Sequence, residues 1–144
     1  VYKRQRQDAL QNWVDCLQQA SLAPDVLELT PAALYALARG LSLEASAALV
    51  HRLNDHWLWY APQSGVHAWG WCSLEDAADF SALQQRYLQG SHSVWYSSVL
   101  AEERPEGTFA LSPLAAVQCY QPPLPVYDGA FALATGLALR PEDC

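Results

Sequence analysis

The sequence contains no methionine, and charged side chains make up only 16% of its 144 residues. Because a complete translation product begins with methionine, we expect the chain to be a fragment of a longer protein. No apolar run reaches the roughly 18 residues of a membrane span. No basic-then-apolar leader of the signal-peptide type stands at the start. The sequence therefore predicts no insertion into a membrane.

Basic residues are also scarce, since 8 Lys and Arg stand against 15 Asp and Glu, a formal net charge of −7 at pH 7. Binding to phosphates needs clustered cations, so nucleic acid is not expected as a direct partner. The one basic cluster, Lys3, Arg4 and Arg6, is interpreted as a solvated helix start or a linker and not as a binding patch. A hydrophobic share of 51% is typical of a folded chain, and the length predicts a single domain over residues 1–144.

No residue pattern in the sequence predicts a metal site. None of the four cysteines lies in a CxxC pair or beside a histidine at metal-ligand spacing; they are Cys16, Cys72, Cys119 and Cys144. We interpret them as reduced thiols. His51, Asp55 and His56 could be drawn as a metal site, but surface polar residues at a hairpin explain them equally well.

Catalytic motifs are absent as well. The sequence has neither of the glycine-rich phosphate loops, GxGxxG and GxxxxGKS. No serine lies in a GxSxG elbow. We therefore expect no enzymatic activity and no cofactor.

Apolar spacing and capping residues predict four helices. The first has one apolar face and ends near Ala20; its apolar residues are Leu10, Trp13, Val14 and Leu17. A second begins at Thr30-Pro31 and closes at Gly40. A third is expected to begin after Ser73, with Asp76 at the capping-box position, and to end at Gly90. The last is capped by Asp128 and has a stripe of small residues suited to close backbone packing, Gly129, Ala132 and Gly136.

The middle of the chain has the alternation typical of strands. Three strands with short connections, over 47–53, 56–61 and 66–72, predict an antiparallel meander. In the second strand Trp57, Trp59 and Ala61 share one face, and Leu58 and Tyr60 share the other. A short extended run over 26–29 and a fourth strand over 94–100 are also expected. The stretch 111–120 is ambiguous: a short helix near Pro113 could lead into a strand over 117–120. The order of elements predicts an α/β or α+β fold.

Four segments resemble the C-terminal part of PilM/HofM proteins, the actin-like components of type IV pilus assembly and DNA uptake. They are LAPDVLELTPAALYALARGL at 22–41, NDHWLWY at 54–60, QPPLP at 121–125 and GAFALATGLALR at 129–140. The resemblance implies one lobe of an actin-like (ribonuclease-H-like) α/β fold with a mixed sheet. Its elements would be a three-strand meander, a helix, a strand, a helix, a strand and a closing helix. The other lobe would lie before Val1.

The resemblance also implies where a nucleotide would bind, and there the sequence departs from the nucleotide-binding relatives. Their turn between the first two strands resembles DxGxxT. The matching turn here has no Gly, Ser or Thr; its residues are Leu53, Asn54, Asp55 and His56, between Arg52 and Trp57. The glycine-rich adenosine loop after the fourth strand is replaced by residues 97–100, SSVL. Both changes remove close backbone approach to phosphate, so nucleotide binding is not expected.

The resemblance implies a non-enzymatic cytoplasmic scaffold, peripheral to the inner membrane. Its partners would be inner-membrane pilus-assembly or DNA-uptake proteins, such as a PilN-like subunit. The residues expected to contact a partner are Trp57, Trp59, Pro122, Pro123 and Pro125. Two alternatives stay open: an actin-like ATPase whose motifs have drifted, and a small acidic chaperone or immunity protein, against which the missing methionine counts.

Overall fold

The computed structural model describes residues 2–22, 30–63, 66–117, 123 and 128–139. These residues form four α-helices: α1 (Tyr2–Gln19), α2 (Thr30–Gly40), α3 (Phe80–Tyr87) and α4 (Ala132–Ala138). Five strands accompany them: β1 (Ala47–Arg52), β2 (His56–Gln63), β3 (Val66–Ser73), β4 (Ser93–Ser98) and β5 (Phe109–Ala110). Two short 3₁₀ helices span Pro113–Ala116 and Asp128–Phe131.

The five strands form one mixed sheet in the order β3-β2-β1-β4-β5. β2 runs antiparallel to both β1 and β3, which confirms the predicted meander. β4 lies parallel to β1, and β5 lies parallel to β4. The predicted α/β fold with a mixed sheet and flanking helices is therefore correct.

The alternation of side chains along β2, which the sequence predicted, divides the core into two layers. Trp57 and Trp59 belong to a buried cluster with Leu83 of α3 on one face of the sheet. Leu58 and Tyr60 belong to a second cluster on the opposite face, with α2 and α4. Because successive residues of a strand point to opposite faces, one strand contributes to both layers.

The small residues near the end of the chain allow close backbone packing, as predicted. Gly129 lies so close to the end of β4 that a Cβ atom there would stand 2.2 Å from the Ser98 carbonyl oxygen. Ala132, one turn further on, is completely buried. The last helix therefore packs directly against the layer formed by α2 and the sheet.

The predicted start of the third helix is wrong, because the Ser73-Asp76 pair closes a turn instead of capping a helix. The Ser73 hydroxyl donates to the Asp76 carboxylate at 2.9 Å and accepts from the Asp76 amide at 3.3 Å. The chain is then held by Trp57, whose Nε1 donates to the Ala77 carbonyl oxygen at 2.8 Å. The helix begins only after Asp79, whose carboxylate accepts from the Ala82 amide at 2.8 Å.

The region after β4 differs most from expectation. Residues 99–108 contain no helix, and the helix that the resemblance implied after the fourth strand corresponds to the short one predicted near Pro113. The two-residue strand β5 was missed, while the short helix near Pro113 is confirmed as a 3₁₀ helix. The predicted strand over 117–120 and the extended run over 26–29 lie, apart from Val117, outside the described residues, and Val117 is in no strand.

Candidate functional site

The first candidate site lies where the carboxyl ends of the parallel strands meet, which is where open α/β sheets usually bind ligands. β1 leads there into the turn formed by residues 53–55, and β4 leads into residues 99–100. The two exits are joined, because the Val99 amide donates to the Arg52 carbonyl oxygen at 3.0 Å. The turn that the resemblance implied to be a degenerate nucleotide loop therefore does lie at this edge.

The side chain of Arg52 packs against this turn. Its guanidinium donates to the carbonyl oxygens of Leu53 and His56 and lies 4.8 Å from the Trp57 ring centroid. The Leu53 amide is already committed, donating to the His56 carbonyl oxygen at 2.9 Å. The Leu53 amide is therefore not available to bind an anion at this turn.

The two histidines next to this turn are engaged separately. His56 lies 2.6 Å from Asp55, Nδ1 to Oδ1, at the surface. His51 is completely buried, and its Nδ1 lies 2.8 Å from the Ser97 hydroxyl. Burial, with a smaller contribution from His56, lowers the pKa of His51 to about 4, so the ring is neutral at pH 7. Within the part of the chain that the structure describes, no three His, Cys, Asp or Glu residues come together as a metal site.

Glu102 organises the exit of β4, a role that sequence reasoning missed. Its carboxylate accepts from the Tyr96 hydroxyl at 2.5 Å and from the Ser98 hydroxyl at 2.8 Å. Burial, followed by this bond to Glu102, raises the pKa of Tyr96 above its ordinary value. A glutamate within a charged loop shows no sequence signal of such a contact, since the partner tyrosine lies in the preceding strand.

The prediction that Trp57 and Trp59 contact a partner is corrected by their burial. They are only 4% and 9% exposed, because they lie on the sheet face that α3 covers. Trp59 stacks on Tyr87 with ring centroids 5.0 Å apart. Of the predicted proline contacts, Pro123 is exposed, and Pro122 and Pro125 lie outside the described residues.

Other large apolar side chains are exposed instead. Trp69 and Trp71 of β3 are 40% and 66% exposed, and Leu10 and Trp13 of α1 are 52% and 68% exposed. Trp71 also lines a cleft of about 370 Å³ beside the start of α2, together with Thr30, Pro31, His56 and Leu58. Such exposed aromatic side chains are typical of protein interfaces. The alternating pattern in the meander predicted which tryptophans share a face but not which face is covered.

Three comparisons, with protein-family models, with curated proteins and with solved structures, found no match to this chain. No described helix combines the length and the apolar character needed to cross a membrane. The geometry of the chain itself therefore carries the functional argument.

Proposed function

We propose that this chain is a non-enzymatic scaffold domain that binds other proteins. The observation that carries the proposal is the apolar face of α1. Leu10 and Trp13 are 52% and 68% exposed, Val14 and Leu17 are half-buried, and α1 makes at most slight contact with the other described elements. An amphipathic helix gains most of its stability by burying such a face. The face is therefore suited to contact with another polypeptide.

The finer part of the proposal is that the scaffold is of the PilM/HofM kind. It would act in the cytoplasm at the inner membrane and bind pilus-assembly or DNA-uptake subunits, such as a PilN-like protein. The order of meander, helix and parallel strand supports an actin-like lobe. The helix expected after the parallel strand is represented by the 3₁₀ helix Pro113–Ala116, and the strand expected after it lies, apart from Val117, outside the described residues.

A scaffold role, in preference to an ATPase, is supported by the turn after β1. A phosphate-binding turn presents free backbone amides and room for an anion. Here the Leu53 amide is bonded within the hairpin, and the Arg52 side chain packs onto the turn. Titration calorimetry with Mg-ATP should therefore give no binding heat, and micromolar binding would overturn the non-enzymatic role.

Partner binding is tested with synthetic peptides that cover the cytoplasmic segments of inner-membrane pilus-assembly subunits. We expect one of them to bind the chain, and the double variant Leu10→Ser with Trp13→Ser to weaken that binding at least tenfold. The matched control is Trp71→Ser, which removes a similarly exposed tryptophan of β3. Equal binding by both variants would show that the α1 face is not the contact, and binding of no peptide would contradict the pilus partner.

A further inference from the structure

The outer edge of β3 is unusually open to strand pairing. β3 is the first strand of the sheet order and pairs with β2 over all eight residues, without a bulge. Its sequence, VHAWGWCS, has no Lys, Arg, Asp, Glu or Pro. Edge strands of monomeric proteins are commonly guarded by these residues or by bulges. Among the residues that the structure describes, β2 is the only strand paired with β3, so this regular, uncharged edge is open to another strand.

The exposed tryptophans of this strand lie on one face. Trp69 stands directly opposite Tyr60 and Trp71 directly opposite Leu58, so both are on the face that carries α2. Gly70, between them, points to the opposite face, where a Cβ atom would come within 3.0 Å of the Trp59 ring. The Trp-Gly-Trp sequence is therefore symmetric about a residue that the core requires to be small.

We propose that a second copy of this chain pairs with β3 in antiparallel fashion, centred on Gly70. In that register Trp69 of each copy lies opposite Trp71 of the other. Directly opposed residues share a face, so all four tryptophans would form one cluster beside the two α2 helices. The pairing is two-fold symmetric and closes after two copies. It is independent of the scaffold function, because it uses β3 and not the face of α1.

The distribution of charge favours the antiparallel arrangement over a parallel one. Acidic residues flank the Ser73 end of β3, where the exposed ones are Asp55, Glu75 and Asp76. Antiparallel pairing sets this acidic end of one copy opposite the Val66 end of β3 in the other. It also separates the two acidic ends by roughly 20 Å at 3.3 Å per residue, well beyond the screening length of about 8 Å.

The surface available predicts a weak dimer. Four tryptophans of 150–250 Å² each, at the exposures found here, contribute roughly 400 Å² of total buried area. The paired backbones add to this, yet the sum stays below the roughly 1,200 Å² at which stable interfaces begin. We therefore expect a reversible dimer whose population rises with concentration.

Sedimentation equilibrium of the whole chain, from about 1 µM to about 300 µM, covers the range expected for an interface of this size. The weight-average mass should rise from 15.9 kDa toward twice that value. The double variant Trp69→Lys with Trp71→Lys places Lys opposite Lys in both 69–71 pairs between the two copies, and it should stay monomeric. The variant Trp69→Lys with Trp71→Glu places Lys opposite Glu, and it should dimerise more weakly than the parent, because the tryptophans are lost, but measurably more strongly than the Lys-Lys variant.

Trp13→Lys is the control, because it also replaces an exposed tryptophan, here in α1, by lysine, and it should dimerise like the parent. Circular dichroism of each variant checks that the fold is retained. Dissociation by Trp13→Lys, or loss of the dimer in both double variants, would overturn the proposal. A parent chain that is monomeric at every concentration would also overturn it and would leave the β3 edge to a different polypeptide.

Discussion

The backbone of Gly136 lies so close to α2 that a Cβ atom there would stand 2.1 Å from the Ala33 carbonyl oxygen. No real Cβ contact is that short, and the obstructing atom belongs to the backbone of a helix. The two helices can pack this closely only because residue 136 has no side chain. The apolar layer between α2, α4 and the sheet therefore depends on this glycine.

Gly136→Ala should lower the free energy of unfolding by about 1–3 kcal/mol, the usual cost of overpacking a core, although alanine is the better helix former. Urea denaturation followed by circular dichroism measures this loss in the free energy of unfolding. The matched control is Gly40→Ala, where the added Cβ would meet only the side chain of Leu139. Since that side chain can rotate away, Gly40→Ala should cost clearly less. Equal costs would contradict the role of close backbone packing.

His51 should make the stability of the chain depend on pH below neutrality. Its pKa is about 4 in the folded chain and about 6.5 when unfolded, so the unfolded chain takes up the proton first as pH falls. Relative to low pH, the folded state is therefore stabilised by the neutral His51 ring. This contribution to the free energy of unfolding is complete above pH 6.5 and is lost as pH falls toward 4. The loss is about 3 kcal/mol, at about 1.36 kcal/mol per pKa unit.

Urea denaturation at several pH values measures this effect as a difference between the parent and His51→Asn. An asparagine amide can still bond the Ser97 hydroxyl but does not titrate. The unfolding free energy of the parent should fall more steeply than that of the variant between pH 6.5 and 4. Parallel profiles would mean that His51 is not buried in its neutral form.

Tyr96 and Glu102 should be energetically coupled, because a partly buried hydroxyl donates to the carboxylate. A double-mutant cycle with Tyr96→Phe and Glu102→Gln should give a coupling of about 1.5–3 kcal/mol, the range for hydrogen bonds to charged groups. Glu103→Gln is the control: this neighbouring glutamate is exposed, and its replacement should change stability by less than about 0.5 kcal/mol. A coupling near zero would contradict the bond.

Two tryptophans of the meander, Trp57 of β2 and Trp71 of β3, should differ sharply in their contribution to stability. Trp57→Phe loses the bond from Nε1 to the Ala77 carbonyl oxygen and leaves a small cavity, at a cost of about 1–3 kcal/mol. Trp71→Phe changes a side chain that is 66% exposed, and it should cost less than about 0.5 kcal/mol. Denaturation at a concentration low enough to keep the chain monomeric gives both values. A larger loss for Trp71→Phe would reverse the assignment of buried and exposed faces.

Much of the meander was predictable from the sequence. β1, β2 and β3 were placed within one or two residues, since alternation along a strand and the turns between strands are local properties. The stripe of Gly129, Ala132 and Gly136 also predicted close packing correctly, because only small residues permit it. The start of α3 was not predictable in the same way, since Ser73 and Asp79 are both good caps. Trp57 of β2 donates to the Ala77 carbonyl oxygen and so holds the segment between residues 73 and 79 outside the helix.

The sequence by itself determined the three strands of the meander, the bounds of α2 and the residues that share a face, because these follow from periodicity and backbone preference. Only the tertiary structure decided which faces are covered. Trp57 and Trp59 are buried under α3, while Trp69 and Trp71 lie at the free edge, and nothing local distinguishes the two pairs. It also decided that His51 is neutral and that Glu102 binds Tyr96, since burial and charge are set by residues distant in the chain. Exposure depends on how elements pack, and so the surfaces proposed for binding come from the structure.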